Sequence, residues 1–393
     1  MRVIRACAAL LVVAALAGCG GGGSSGSPTA QPPVVGPRED DGAASAPPSL
    51  SFPVIATKNT TRVPGGDPSA DAAGVAEAVY PARTQESRPQ GVVLVDQRNW
   101  QAAISAAQLM SQPLRLPVLF SDGDKLPAAT EQALKDLQPT GAAKASDAQV
   151  IRIGSAPAPD GLKSTPVGGA DPAALAQAID ALQAKAAGSA SREVVVAPSA
   201  RPDLAMPAAA WAAKSGNPVL WAGVDDLPAA TRAVLRARRH PRIYVLGPPE
   251  AISDAVLSQL DRLGRAKRIG TGDAVTNAIF FARYSDGGFG WNVVDPGHGL
   301  VFANVRRTTD AAAAAALSGA GTYGPLLLVS EPGALPTPVQ DYLLDIQPGY
   351  DKDPVRGVYN HGWLVGDESA ISADVQSRLD ALLEIQPVDT GGD

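Results

Sequence analysis

The sequence predicts an α/β fold made of three tandem, doubly wound parallel-sheet modules. Two observations carry this. The phrase LPAATEQAL at 126 returns as LPAATRAVL at 227 and, more faintly, as LPTPVQDYL at 335, at spacings of 101 and 108 residues. Self-similarity at such spacing marks a repeated structural unit. Short, continuously apolar runs also alternate with Ala-rich stretches, the pattern of parallel strands buried on both faces and the helices that cross between them.

The first element is an export signal. Arg2 and Arg5 precede an apolar run from Ala6 to Leu16, which is shorter than the roughly 20 residues needed to span a bilayer. Leu16-Ala17-Gly18-Cys19 resembles a bacterial lipobox, so residues 1–18 read as a lipoprotein signal and Cys19 as the acylated residue. An ordinary signal followed by an unrelated cysteine is the plainer alternative. Residues 19–57, opening GGGGSSGSPTAQPPVVGP, read as a Gly/Ser/Pro tether. From Gly20 to Thr57 its mean reach is about 35 Å. The only other cysteine is Cys7, so the mature chain is expected to fold without a disulfide.

Modules are expected over 58–160, 161–266 and 267–393. The first copy runs GVVLVDQRNWQAAISAAQLMSQPLRLPVLFSDGDKLPAATEQALKDL from Gly91, and its counterparts begin at Glu193 and Gly299. VVLV, PVLF and VIRI read as strands, and WQAAISAAQLM as a helix by propensity. The Leu-Pro phrase opens a second helix, because proline is tolerated in a first turn. Gly154, Gly247 and Gly366 mark turns from the third strand into the next segment. TRVPGGD, TPVGGAD and KRIGTGD each read as a short strand, a glycine turn and an aspartate that caps the following helix. In the first copy SAPAPDGLKST stands where the others have a last helix, and the third copy carries two extra segments, SDGGFGWNVVDPGHG and QPGYDKDPVRGVYNHG.

Taken together, these motifs resemble the cell wall binding repeat type 2 family, in which a strand ending in Arg-x-x-Gly-x-Asp leads into a module of this order. The second copy is nearest, with PDLAMPAAAWAAKSGNPVLWAGVDDLPAAT, VLGPPEAIS and RIGTGD in sequence. The resemblance implies three flavodoxin-like or Toprim-like modules packed as a pseudo-threefold disc. It also implies a non-catalytic protein held against anionic cell-wall polysaccharide. With the acyl group on Cys19, the expected location is the outer face of the cell membrane, in contact with the wall.

The composition sets limits on partners. Without Arg2 and Arg5 the chain has 31 basic and 39 acidic residues, a formal charge of −8, so nucleic acid is not an expected partner. In open parallel sheets, ligands bind beyond the carboxyl ends of the strands. The loops there carry Arg98, Arg201, Arg306 and Arg307, whose forked donors suit a phosphate or carboxylate. Asp122, Asp225 and Asp226 lie at the same edge, able to pair with them or to bridge to polymer through a divalent cation. No motif specifies a metal, a cofactor or a catalytic nucleophile, and no enzyme is expected. His298 and His361 with Asp295 form the one conceivable catalytic group. Trp291 is read as pinning its loop or stacking on a sugar. Two alternatives stay open: a lipid-anchored solute receptor, and an envelope scaffold that binds proteins.

Overall fold

The computed structural model describes residues 55–270, 272–321 and 324–388; the signal, Cys19 and most of the tether lie outside them. The chain enters through β1 (Ile55–Ala56), β2 (Thr60–Val63) and α1 (Pro68–Val79). The first sheet unit follows as β3 (Val92–Asp96), α2 (Trp100–Ala106), β4 (Val118–Ser121), α3 (Ala128–Leu137), β5 (Val150–Ile153) and β6 (Ser164–Val167). Helix α4 (Pro172–Ala187) leads to the second: β7 (Glu193–Pro198), α5 (Pro202–Ser215), β8 (Val219–Ala222), α6 (Ala229–Ala237), β9 (Arg242–Val245), α7 (Asp254–Asp261) and β10 (Arg265–Arg268). Helix α8 (Ala274–Arg283) leads to the third: β11 (Gly299–Asn304), α9 (Asp310–Ala320), β12 (Leu326–Val329), α10 (Thr337–Asp345), β13 (Gly349–Tyr350), β14 (His361–Val365), α11 (Ala373–Leu383) and β15 (Gln386–Pro387).

Three α/β sheets result, ordered β4-β3-β5-β6, β8-β7-β9-β10 and β12-β11-β14-β2-β1, parallel throughout except at the β1–β2 hairpin. The third is assembled from both ends of the folded region. Strand β2 pairs in parallel with β14, Thr60 opposite Gly362 through Val63 opposite Val365. Each linking strand (β6, β10 and β2) thus completes one sheet, while the helix after it packs on another. Helix α4 lies on β8 and α6, α8 on β12 and α10, and α1 on β4 and α3. The ends are thereby closed into a ring.

Local chemistry accounts for the helix starts. The Asp67, Asp171 and Asp273 carboxylates each accept from backbone N–H groups of the first turn, satisfying donors that a helix leaves orphaned. Pro127, Pro228 and Pro336 take the cap position itself, one residue before the expected first turn. The threonine of LPAAT explains why that phrase recurs. Thr130 Oγ1 donates to the Phe120 carbonyl at 2.6 Å and Thr231 Oγ1 to that of Trp221 at 2.8 Å, tying each helix to the strand before it.

The Ala-rich helices α2, α5 and α9 contact one another pairwise at the centre. Ala311 to Ala316 are all buried, so these helices need small side chains on every face. Gly319 shows how close the approach is, because a Cβ there would lie 2.9 Å from the Ala213 carbonyl oxygen. Trp221 meets Trp100 edge-on at 5.3 Å and donates to Ser105 Oγ at 3.0 Å, joining the first and second units.

Candidate functional site

Strand register fixes which residues correspond at the carboxyl edge. Val93, Val195 and Val301 occupy one register position, opposite Val118, Val219 and Leu326. Counting onward, Arg98 corresponds to Ala200 and Arg306, whereas Asn99 corresponds to Arg201 and Arg307. The arginines therefore occupy two positions, not one.

Arg98 and Arg306 form the outer position. Arg98 hydrogen-bonds Asp96, with Nη2 2.7 Å from Oδ2, and its Nε lies 3.8 Å from Asp122 Oδ1. The hydrogen bonds from Arg98 hold the Asp96 carboxyl below its usual range. Arg306 pairs with Glu331 on the corresponding loop. Both arginine side chains are 65 % exposed. The second unit has neither partner, since Ala200 and Gly223 stand at these places. Its Asp225 and Asp226 are exposed on the loop that Gly223 N closes by donating to the Asp226 carbonyl.

Arg201 and Arg307 form the inner position, beside the first turn of the central helix. Arg201 grips Asp203 through two hydrogen bonds, at 2.9 and 2.7 Å, and stays part exposed. Arg307 turns inward instead. It pairs with Asp71 on α1, with Asp310 Oδ2 at 2.7 Å and with Asp367 Oδ1 at 3.5 Å. Both Asp71 and Asp310 are fully buried. No aligned donor reaches Asp71 Oδ1 or either Asp310 oxygen. Burial pushes both carboxyls up, Asp71 to about 8 and Asp310 to about 7, with Arg307 opposing. Arg307 thus holds the fold at this edge.

The same crevice has different contents in each unit. Asp71, Leu175 and Asn277 each lie four residues after a capping aspartate. Each is covered by a glycine too close for a side chain: a Cβ on Gly65 would lie 2.3 Å from Asp71 Oδ1, and one on Gly169 2.5 Å from Leu175 N. In the third unit the ion cluster fills the crevice. In the second, Asn277 Nδ2 donates to the Leu204 carbonyl. In the first, Leu175 and Asn99 leave a cavity of about 420 Å³ walled by Gly154, Ser155, Gly168 and Gly169.

Other residues marked by the sequence have local roles. His361 N donates to the His298 carbonyl, so the two histidines are backbone neighbours, but their rings take separate partners, Thr61 and Asp295. No group of acid, histidine or cysteine side chains suited to a metal occurs among the described residues. Trp291 packs edge-on against Trp211 at 5.3 Å and pins its loop. No described helix is long and apolar enough to cross a membrane. Sequence reasoning missed Arg62, a fully buried side chain that donates to the carbonyls of Gly366 and Ser372. Arg268 does the same for Gly247 and Ile252. The Arg of the Arg-x-x-Gly-x-Asp pattern was a usable signal, and its role is to fasten the glycine turn.

These linked parallel-sheet units, each with a glycine turn at its carboxyl edge, set the frame for comparison with known proteins. Residues 167–257, from the end of β6 into α7, match the family described as Cell wall binding domain 2 (CWB2). Among solved structures the chain is similar to Cwp6 from Clostridium difficile, with TM-score 0.65 and 18 % identity over 83 % of this chain and 48 % of that one. It is also similar to Cwp8 from the same organism, with TM-score 0.62 and 16 % identity over 83 % of this chain and 52 % of that one. At these identities the likeness shows a shared fold, and the chain spans about half the length of either neighbour. No curated protein matches in sequence. A cell wall binding domain implies association with the cell surface.

Proposed function

We propose that this is a non-catalytic, lipid-anchored extracytoplasmic protein that holds anionic cell-wall polysaccharide through three modules. The observation that carries the reading is the Cell wall binding domain 2 match across the second unit, extended to the other two by the repeated fold. We assign polymer contact to the exposed arginines of the carboxyl edge, Arg98, Arg201 and Arg306. Each is already oriented by a carboxylate, and an incoming phosphate or carboxylate would exchange with the loosest of these, Asp122 at 3.8 Å from Arg98. Asp225 and Asp226 flank that edge in the second unit. Three weak contacts on one repeating polymer would raise avidity by roughly 10²–10⁴ over a single contact. Cys19 would supply the anchor; several acyl chains hold where one would not.

Sedimentation with purified anionic wall polymer tests this. The intact chain should pellet with polymer at low salt and be released as salt screens the contacts. Arg98→Ala, Arg201→Ala and Arg306→Ala together should leave it in the supernatant. Equal pelleting by the triple variant would refute the assignment. Cys19→Ala should move the protein from the membrane fraction to the soluble fraction, and if it does not, the anchor lies elsewhere.

A further inference from the structure

The base of the first unit, opposite the carboxyl edge, carries two adjoining cavities of about 740 and 670 Å³. They share Gln85, Arg88 and Thr140 as lining residues. The segment that divides them, Pro81 to Gln90, is set in place by its backbone. Ala82 N donates to the Ser87 carbonyl, and Thr140 N and Gly141 N donate back to Pro89 and Gln90. In the second unit only five residues, Gly188 to Arg192, join helix to strand. The longer connection in the third unit fills its space with Phe289, stacked on Tyr244 at 3.5 Å. In the first unit no aromatic ring between Pro81 and Gln90 does the same.

Arg88 stands at the seam. Its Nε is buried and has no hydrogen-bond partner, and its guanidinium forms no ion pair among the described residues. A buried guanidinium donor without an acceptor is costly, and the natural remedy is an anion. Arg115 lines the second cavity and is likewise outside every described ion pair. The first cavity differs in character. Leu126, Leu134 and Leu162 give it an apolar wall, and the Glu131 and Asp160 carboxylates share that lining. A sugar ring has this double nature, with a C–H face for leucine and hydroxyls that donate to carboxylates.

We propose that these paired cavities bind an acidic saccharide unit, its carboxylate or phosphate on Arg88 and its ring over the leucines. The site is distinct from the carboxyl-edge arginines and rests on the wall-polymer reading only for the origin of its ligand.

Titration calorimetry on the Cys19→Ser chain tests it, with glucuronate, inorganic phosphate and glucose as probes. Glucuronate should bind saturably and glucose should not. Arg88→Gln should weaken glucuronate about tenfold or more with an unchanged melting temperature. Arg88→Lys, which keeps the charge but loses the fork, should fall between. Arg262→Gln, at an exposed arginine after α7 that has no part in either site, should bind glucuronate as the parent does. Absence of glucuronate binding, binding of phosphate alone, or binding that survives Arg88→Gln would each overturn the proposal. Wall sedimentation is scored on Arg98, Arg201 and Arg306, so either assignment can fail while the other stands.

Discussion

Asp310→Asn probes the buried ion cluster that joins α1 to the third sheet. Asp71 and Asp310 are both fully buried and share Arg307. One guanidinium neutralises one carboxylate. The second is desolvated beside a negative neighbour and keeps its proton, which is why the pair is raised to about 8 and about 7. An aspartate in the unfolded chain releases its proton near pH 4. Between these limits the folded state binds at least one more proton than the unfolded state, so stability falls as pH rises, by at least about 1.4 kcal/mol per pH unit. The stabilisation is complete below about pH 4 and is lost by about pH 7–8. Across roughly three units one proton amounts to about 4 kcal/mol, a large share of the 5–15 kcal/mol that typically separates folded from unfolded chains.

Asparagine at 310 has the shape of the protonated acid and no proton to lose. At pH 5 the variant should match the parent within about 1 kcal/mol, whereas at pH 8 it should be the more stable by up to about 4 kcal/mol. Urea midpoints by circular dichroism at pH 5, 6, 7 and 8 give the comparison directly. Asp67 and Asp367 also face Asp310 but are common to both proteins, so they cancel in the difference. Parallel pH profiles for parent and variant would refute the shared proton.

Arg62→Met should destabilise by roughly 3–5 kcal/mol, because it strands the carbonyls of Gly366, Asp367 and Ser372 and frees β2; a loss below about 1 kcal/mol in urea would exclude that role. Thr231→Val should cost about 1–2 kcal/mol through the unpaired Trp221 carbonyl, with Thr130→Val matching it in the first unit, and an unchanged midpoint would show the tie to be dispensable. His361 is held neutral by burial, its pKa lowered despite Asp380, so it destabilises the fold as pH falls below about 6.5. His361→Gln should therefore gain relative stability at pH 5.5 and none at pH 8, as read from melting temperatures.

The repeat was legible because its causes are local. Strands buried on both faces need continuous apolar runs, and LPAAT keeps a threonine that bonds the previous strand. Ring closure was not. TRVPGGD and TPVGGAD look alike as text, and the partner of Thr60–Val63 lies some 300 residues on, at Gly362–Val365. The arginines were legible as a group but not by position, because Arg98 and Arg201 differ by one place in strand register. That one residue separates an outward side chain from one beside the helix start. Asp71 gave no signal, being one acid in an alanine-rich helix whose burial depends on the far end of the chain.

The three crevices show what the glycine turns are for. Gly65, Gly169 and Gly270 all sit where a Cβ would collide with the residue four places after the capping aspartate. The turn thus reports a close backbone approach in every unit, whatever fills the crevice. What fills it follows from how each sheet is assembled. The first and second sheets gain their last strand, β6 or β10, from the stretch of chain that directly follows β5 or β9, so a Leu or Asn behind the glycine suffices. The third must recruit β2 from the opposite end of the described chain. The Arg62 fastening and the Asp71–Arg307 pair penalise a wrong partner, since a misplaced β2 would leave buried charges unpaired. The ion cluster therefore stands at the one joint of the ring that chain connectivity does not enforce.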